Sequence, residues 1–234
     1  MQASPQQLVF ELPHRAALGL EDFLVSDSND AAVALIDRWP DWPVGAGIIV
    51  GPQGCGKSHL ANVWRLKSQA HVIEASELDK AIVPTLAAYG ALLVENIEGT
   101  RDQAALFHLL NLVREQRLAI LLTSAKAPGD LLLDLPDLSS RLKALPFAVI
   151  APPDEALLRA VLVKLFADRQ LSIEPHIIDY VLLRMERSMA SAQVLVAEID
   201  RQALILQRRV TRAVAAAALT SMGFSLPGDE ENSQ

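Results

Sequence analysis

The stretch GAGIIVGPQGCGKSHL, residues 45–60, runs from a short apolar burst into glycines, a lysine and a serine. Gly51, Gly56, Lys57 and Ser58 fit G-x-x-x-x-G-K-[ST], and Gly54 adds a further glycine. Glycines let the backbone bend until successive N–H groups converge on a phosphate oxygen. A helix opening at Lys57 would point its positive end at the same anion. Lys57 then reaches the β- and γ-phosphates, and Ser58 ligates Mg²⁺. Pro52, Gln53, Cys55 and His59 complete the loop and its exit, and count with it as cofactor-binding positions. Near a helix start the Cys55 thiol pKa can fall. The plainer reading is a small residue that fits the loop. His59 reads more readily as packing or surface than as a catalytic group.

Outward from this loop, apolar runs alternate with helical patterns. AGIIV (46–50), HVIEA (71–75), ALLVE (91–95), LAILLTS (118–124) and LPFAVIA (145–151) read as strands. KSHLANVWRLK (57–67) and residues 101–116 read as helices, the second with apolar spacing of three and four. Continuous apolar strands separated by helices imply a parallel sheet covered on both faces. Upstream, Ser26 to Trp39 carries an amphipathic helix with Ser28 or Asn29 as its cap, Val33, Leu35 and Ile36 inward, and Pro40 and Pro43 as its stop.

After Pro152-Pro153 no strand candidate follows. Helices are expected from Asp154 to about Asp168, from Glu174–Pro175 to about Arg187, from Ala190 to Arg208, and from Arg212 to Ser221. The expected organisation is a flexible N-terminal tail (1–16), an α/β nucleotide-binding domain (17–151), an all-α lid (152–222) and an acidic, disordered tail (223–234).

Composition sets the outer limits. The chain has 234 residues, 51% of them hydrophobic, and a net charge of −7. That balance argues against a protein whose main work is coating phosphate backbones. One cysteine rules out an internal disulfide and suits a reducing compartment. The first residues, MQASPQQL, lack a basic region followed by an apolar core, and no run of 18 apolar residues exists. A soluble cytoplasmic protein with no membrane contact is the expectation.

A nucleotide hydrolase also needs acids at the end of a neighbouring strand, one for Mg²⁺ and one to polarise the attacking water. In ALLVENIEG, Glu95 can serve the metal, or merely end the strand. Asn96 takes the next place, and its amide has no useful basicity. Glu98, on a turn, is a weak substitute.

With these residues in hand, the chain resembles the AAA+ superfamily, in the branch of the bacterial initiator DnaA, and within it the short Hda-type DnaA homologues. Four features carry the resemblance: the loop ending GKSHL, the strand LLVENIEG, the segment DLSSRL (137–142), and a helical lid with no helix-turn-helix domain after residue 220. The resemblance implies an α/β P-loop AAA+ parallel sheet with helices on both faces and a small all-α lid. It implies ADP or ATP with Mg²⁺ as cofactors. It makes Arg141 an arginine finger acting in trans on a neighbour's nucleotide. It makes Gln7, Leu8, Phe10 and Leu12 a motif for the DNA polymerase III β sliding clamp, with Leu8, Phe10 and Leu12 on one side of an extended chain. It also makes Phe23, Leu24 and Val25 candidates for packing on adenine. The alternative readings are ordinary packing for these three residues, a pairing of Arg141 with Asp134 or Asp137, and packing of residues 7–12 on the chain's own core.

Three positions depart from the family. Ala125 stands where a polar sensor is expected, although Thr123 and Ser124 remain. Ala190 stands where the lid carries a sensor arginine, with Arg187 three residues earlier. Asn96 is the third. Together they imply a nucleotide binder with poor turnover. The implied function is a regulatory adaptor that docks on the clamp, meets DNA through it, and stimulates hydrolysis of DnaA-bound ATP, restraining initiation. Nucleotide-dependent self-association fits the superfamily. The alternative is an autonomous AAA+ ATPase or a DnaA-like loader acting on DNA. The lid arginines Arg201, Arg208, Arg209 and Arg212 form either a solvated face or a DNA or DnaA contact.

Overall fold

In the computed structural model, which describes residues 23–206 and 209–224, the apolar runs become five strands. These are β1 (Ala46–Val50), β2 (His71–Glu74), β3 (Ala91–Glu95), β4 (Ala119–Ser124) and β5 (Phe147–Val149), ordered β2-β3-β4-β1-β5 and parallel throughout. β1 runs beside β4 from Ala46 opposite Ile120 to Val50 opposite Ser124. Every residue of β1 is buried, as a strand with neighbours on both edges and helices on both faces requires.

The helices of the α/β part are α1 (Asp30–Asp37), α2 (Lys57–Ser68), α3 (Val83–Leu86), α4 (Gln103–Gln116) and α5 (Pro136–Lys143). Two cores result. On one face Ile48, Val50, Leu92, Val94, Ile120 and Leu122 pack with α3, α4 and α5. On the other, Ile49, Leu93 and Leu121 pack with α1 and α2, where the Trp42 and Trp64 rings stack at 5.3 Å. Odd and even strand residues therefore serve different helices, the direct consequence of a period of two. This is the α/β sheet with helices on both faces that the sequence implies.

The remaining helices form a lid with its own core: α6 (Glu155–Asp168), α7 (Pro175–Leu182), α8 (Met189–Leu206) and α9 (Arg212–Ser221). Local chemistry sets their starts. The Asp154 carboxylate accepts from the Leu157 N–H at 2.7 Å, and the Thr211 hydroxyl caps α9. Asp102 does the same for α4. Each such cap contributes about 1 kcal/mol.

Several expectations need correction. Asn29 occupies the N-cap of α1, but its side chain turns away from the helix, accepting from Ser26 N–H and donating to the Leu24 carbonyl. The helix itself is shorter than residues 26–39. α7 ends at Leu182 rather than near Arg187, because residues 183–188 turn toward the start of α8. α3 was not anticipated, being a single turn opened by Pro84 with too few residues to show a period. Residues 1–22 and 225–234, with the expected tails and clamp motif, lie outside the described residues, as does Arg208.

Candidate functional site

The loop after β1 leaves the sheet beside β4, where the Gly51 N–H donates to the Ser124 carbonyl at 3.0 Å. The approach is tight: a Cβ on Gly51 would lie 2.6 Å from both the Cys55 sulfur and the Ile150 carbonyl oxygen. Gly54 adopts φ +75°, a conformation that L side chains rarely take. Gly56 opens α2 with nothing within 4 Å of the place a Cβ would occupy. Pro52, Gln53, Ser58 and His59 are exposed along this surface.

Lys57 is buried, and its ammonium donates to the carbonyls of Gly51 (2.7 Å) and Pro52 (2.9 Å). These are neutral acceptors. Phosphate oxygens entering the loop would offer the ammonium charged ones, and charge-assisted hydrogen bonds are the stronger. Cys55 is buried against Gly51, and burial raises its thiol pKa while the nearby Lys57 charge lowers it. Burial dominates, so Cys55 is a packing residue of the loop and not an activated thiol.

The end of β3 lies on the same edge of the sheet. Glu95 is partly exposed, and its carboxylate makes no hydrogen bond or ion pair among the described residues. Glu95 and the exposed Ser58 are the oxygen-bearing side chains that this edge could offer a hard cation taking its other ligands from phosphate and water. Among the described residues no cluster of three or more His, Cys, Asp or Glu forms a metal site by itself. Asn96 follows at φ 58°, and its amide nitrogen donates to both Glu74 carboxylate oxygens, at 3.3 and 3.1 Å. Glu74 ends β2 directly opposite Glu95. Asn96 is thus both non-basic and tied sideways. The Asn96 N–H donates to the Thr123 hydroxyl at 3.0 Å, and the Ser124 hydroxyl bonds with Lys126 backbone, so both hydroxyls at the end of β4 hold turns. Ala125 is exposed.

The lid closes the other side. The Met189 N–H donates to the Gly54 carbonyl at 2.8 Å, and a Cβ on Gly54 would come within 3.1 Å of Ser188 and 3.5 Å of Ala190. The first turn of α8 therefore rests on the loop and presents a methyl group there. Arg187 points elsewhere, to Glu155 at 3.7 Å, with 65% of its side chain exposed. Phe23 packs on His59 with ring centroids 5.4 Å apart, while Leu24 and Val25 are half-buried beside it.

Arg141 is set apart from these groups. It lies in the last turn of α5, and its guanidinium donates to Asn111 and sits 5.0 Å from the Phe107 ring centroid, both on α4. Asp134 instead accepts a hydrogen bond from Gln103, so neither acid expected as its partner holds it. Arg141 lines a cleft of about 230 Å³ with Val44, Ala46 and Leu145. Ala46 begins β1, and the glycine loop follows its other end, roughly 13 Å away at the strand rise. Glu74, Asn111 and Ser188 were not singled out from the sequence, since each acts through a partner distant along the chain. The single available signal was Glu74, an acid closing an apolar run just as Glu95 does.

A five-stranded parallel sheet in the order β2-β3-β4-β1-β5, a glycine loop between β1 and α2, and a helical lid seated on that loop define the AAA+ P-loop fold. Solved structures share this fold. It superposes on domain III of the Thermotoga maritima replication initiation protein DnaA with TM-score 0.73 at 18% identity, covering 85% of this chain and 94% of that one. A DnaA structure bound to AMPPCP and single-stranded DNA matches with TM-score 0.68 and 18% identity over 87% of this chain and 68% of that chain. The Thermotoga maritima RuvB Holliday junction branch migration motor matches with TM-score 0.64 and 17% identity over 83% and 66%. No protein-family profile matches the chain. No helix among the described residues is long and apolar enough to cross a membrane.

Proposed function

We propose that this chain is a nucleotide-binding regulatory adaptor of replication that serves another protein's ATP site. ADP or ATP binds the loop of residues 51–58, with Lys57 on the phosphates, Ser58 and Glu95 toward Mg²⁺, and Phe23 and Leu24 beside the base. Its own turnover is low, since Asn96 offers no base and its amide is held by Glu74. Ala125 and Ala190 offer nothing polar toward a γ-phosphate. Ground-state contacts remain where transition-state contacts are missing.

The observation that carries this reading is the placement of Arg141. Its charge stands beside Ala46, at the far end of β1 from the chain's own phosphate loop. A planar cation braced by Asn111 and Phe107 suits the spreading charge of phosphoryl transfer in a neighbouring molecule. DnaA is the proposed recipient, the β clamp the proposed dock through Gln7, Leu8, Phe10 and Leu12, and DNA a partner reached through the clamp. Nucleotide-dependent self-association and a cytoplasmic location belong to the same reading.

The test is hydrolysis of DnaA-bound ATP with clamp, DNA and this protein, with and without added ADP. Acceleration that requires all components supports the adaptor; rapid hydrolysis by the purified chain alone would make it an autonomous ATPase. Recovery of the clamp by wild type but not by the double variant Gln7→Ala, Leu8→Ala tests the docking segment separately.

A further inference from the structure

β5 is an outer strand of the sheet, and among the described residues one of its edges pairs with no other strand. Its even-numbered neighbours pair with β1: the Ile48 N–H donates to the Pro146 carbonyl at 3.0 Å, and the Ile150 N–H to the Val50 carbonyl at 2.7 Å. In a parallel ladder the intervening residues turn their backbone groups the other way. Phe147 and Val149 therefore direct N–H and C=O groups away from β1, and among the described residues nothing takes them. Their side chains share one face, and the two residues are 48% and 50% exposed. Such an edge is a template for another strand.

We propose that residues 8–12 of this chain add a sixth strand along β5. Three observations select this occupant. The first is position. The Ala151 N–H donates to the Ser28 carbonyl at 2.8 Å, and Phe23 and Val25 pack on the core that contains Ala148 and Ile150, so the described chain begins beside β5. The second is reach. Residues 13–22 separate Phe23 from Leu12 and can span up to roughly 35 Å, against about 10 Å for a three-residue strand. The third is pattern. Leu8, Phe10 and Leu12 alternate with Val9 and Glu11, with no proline until Pro13. Paired on β5, one apolar row lies beside Phe147 and Val149, and the outward backbone groups of those two residues are satisfied, the added strand becoming the new edge of the sheet. Attachment through a short linker gives an effective concentration in the millimolar range, enough to populate a pairing too weak between separate molecules. A partner that takes residues 7–12 must first strip them from β5.

Amide hydrogen exchange on the full chain, without partners and at two protein concentrations, tests the pairing. The Phe147 and Val149 amides are expected to be protected in the wild type and to exchange at least tenfold faster in Phe10→Asp, a change in the tail that leaves the described cores intact. Val149→Lys is expected to accelerate exchange across residues 8–12 in turn. Equal rates at Phe147 and Val149 in wild type and Phe10→Asp would overturn the proposal. Protection that fades on dilution would also overturn it, assigning the edge to a second copy. No clamp is present, so failure here leaves the clamp reading untouched.

Discussion

The loop after β1 and the turn after β3 leave the same edge of the sheet with only β4 between them, yet different forces hold them. The loop is shaped by backbone: Gly51 bonded to Ser124, Gly54 in a left-handed conformation, and Lys57 satisfied by the loop's own carbonyls. The turn is shaped by side chains: Asn96 bound to Glu74 and its N–H bound to Thr123. Binding a phosphate needs converging N–H groups, which backbone geometry supplies. Cleaving it needs a free, basic side chain, and at the turn the side chain that follows Glu95 is neutral and occupied. Retaining one region while the other is closed is physically simple, because the two share a sheet but no hydrogen-bonded group except through β4.

The largest expected effect lies outside both regions. Arg141→Ala should leave nucleotide affinity unchanged and lower stimulation of DnaA-bound ATP hydrolysis by about 10³-fold or more, the scale of a trans arginine. Arg141→Lys should not rescue, since a point charge cannot reproduce the planar fork. Lys57→Ala should weaken binding of a fluorescent ADP by roughly 10- to 100-fold, the worth of about 1.5–3 kcal/mol for a charged hydrogen bond. Unaltered affinity would break the claim that the loop is the binding region.

Gly54→Val probes the seat of the lid. A left-handed β-branched residue costs about 1–2 kcal/mol, and its side chain would press on Ser188. The melting temperature should fall by several degrees, and nucleotide affinity with it. Asn96→Asp sharpens the contrast most directly. It replaces an amide donor with a carboxylate facing Glu74, so two like charges meet. Stability at pH 7 should drop by about 0.5–1 kcal/mol, measured by urea melts, and recover toward pH 4 as one acid is protonated. A rise in ATP turnover by this variant would show that one side chain alone closed the turn.

The smallest effect is in the lid. Arg201 and Gln202 donate to Glu198 and hold its carboxyl at about 2, below its ordinary 4.5. A depressed acid stabilises the folded state above the unfolded value and loses that contribution as pH falls from 4.5 through about 2. Glu198→Gln should flatten the acid limb of the stability curve in that window. Because Glu198 faces solvent in part, the change is modest. The same pair shows that Arg201, one of the lid arginines, is already engaged.

How far the sequence was legible follows from these particulars. Strands β1 to β4 were readable within one or two residues, because a strand buried on both faces must be apolar at every position. The glycine turn from β1 into α2 was readable because its glycines are demanded by backbone conformation. The start of the first lid helix was readable from Asp154, whose cap acts over three residues. α3 was not, nor the early end of α7, since a single turn has no period and Leu183 to Ser188 turn to meet the loop through tertiary contact.

What could be read from the residues alone was therefore local: the apolar strands, the glycine turn that leads from β1 into α2, and the neutral amide of Asn96 after Glu95. Tertiary structure alone decided the rest. It joined Asn96 to Glu74 across two strands, set Met189 on Gly54, and braced Arg141 with Asn111 at the far end of β1 from the loop. Periodicity and turn chemistry act over a few residues and leave a trace in composition. Hydrogen bonds between side chains 22 or 30 residues apart leave none until the chain is folded.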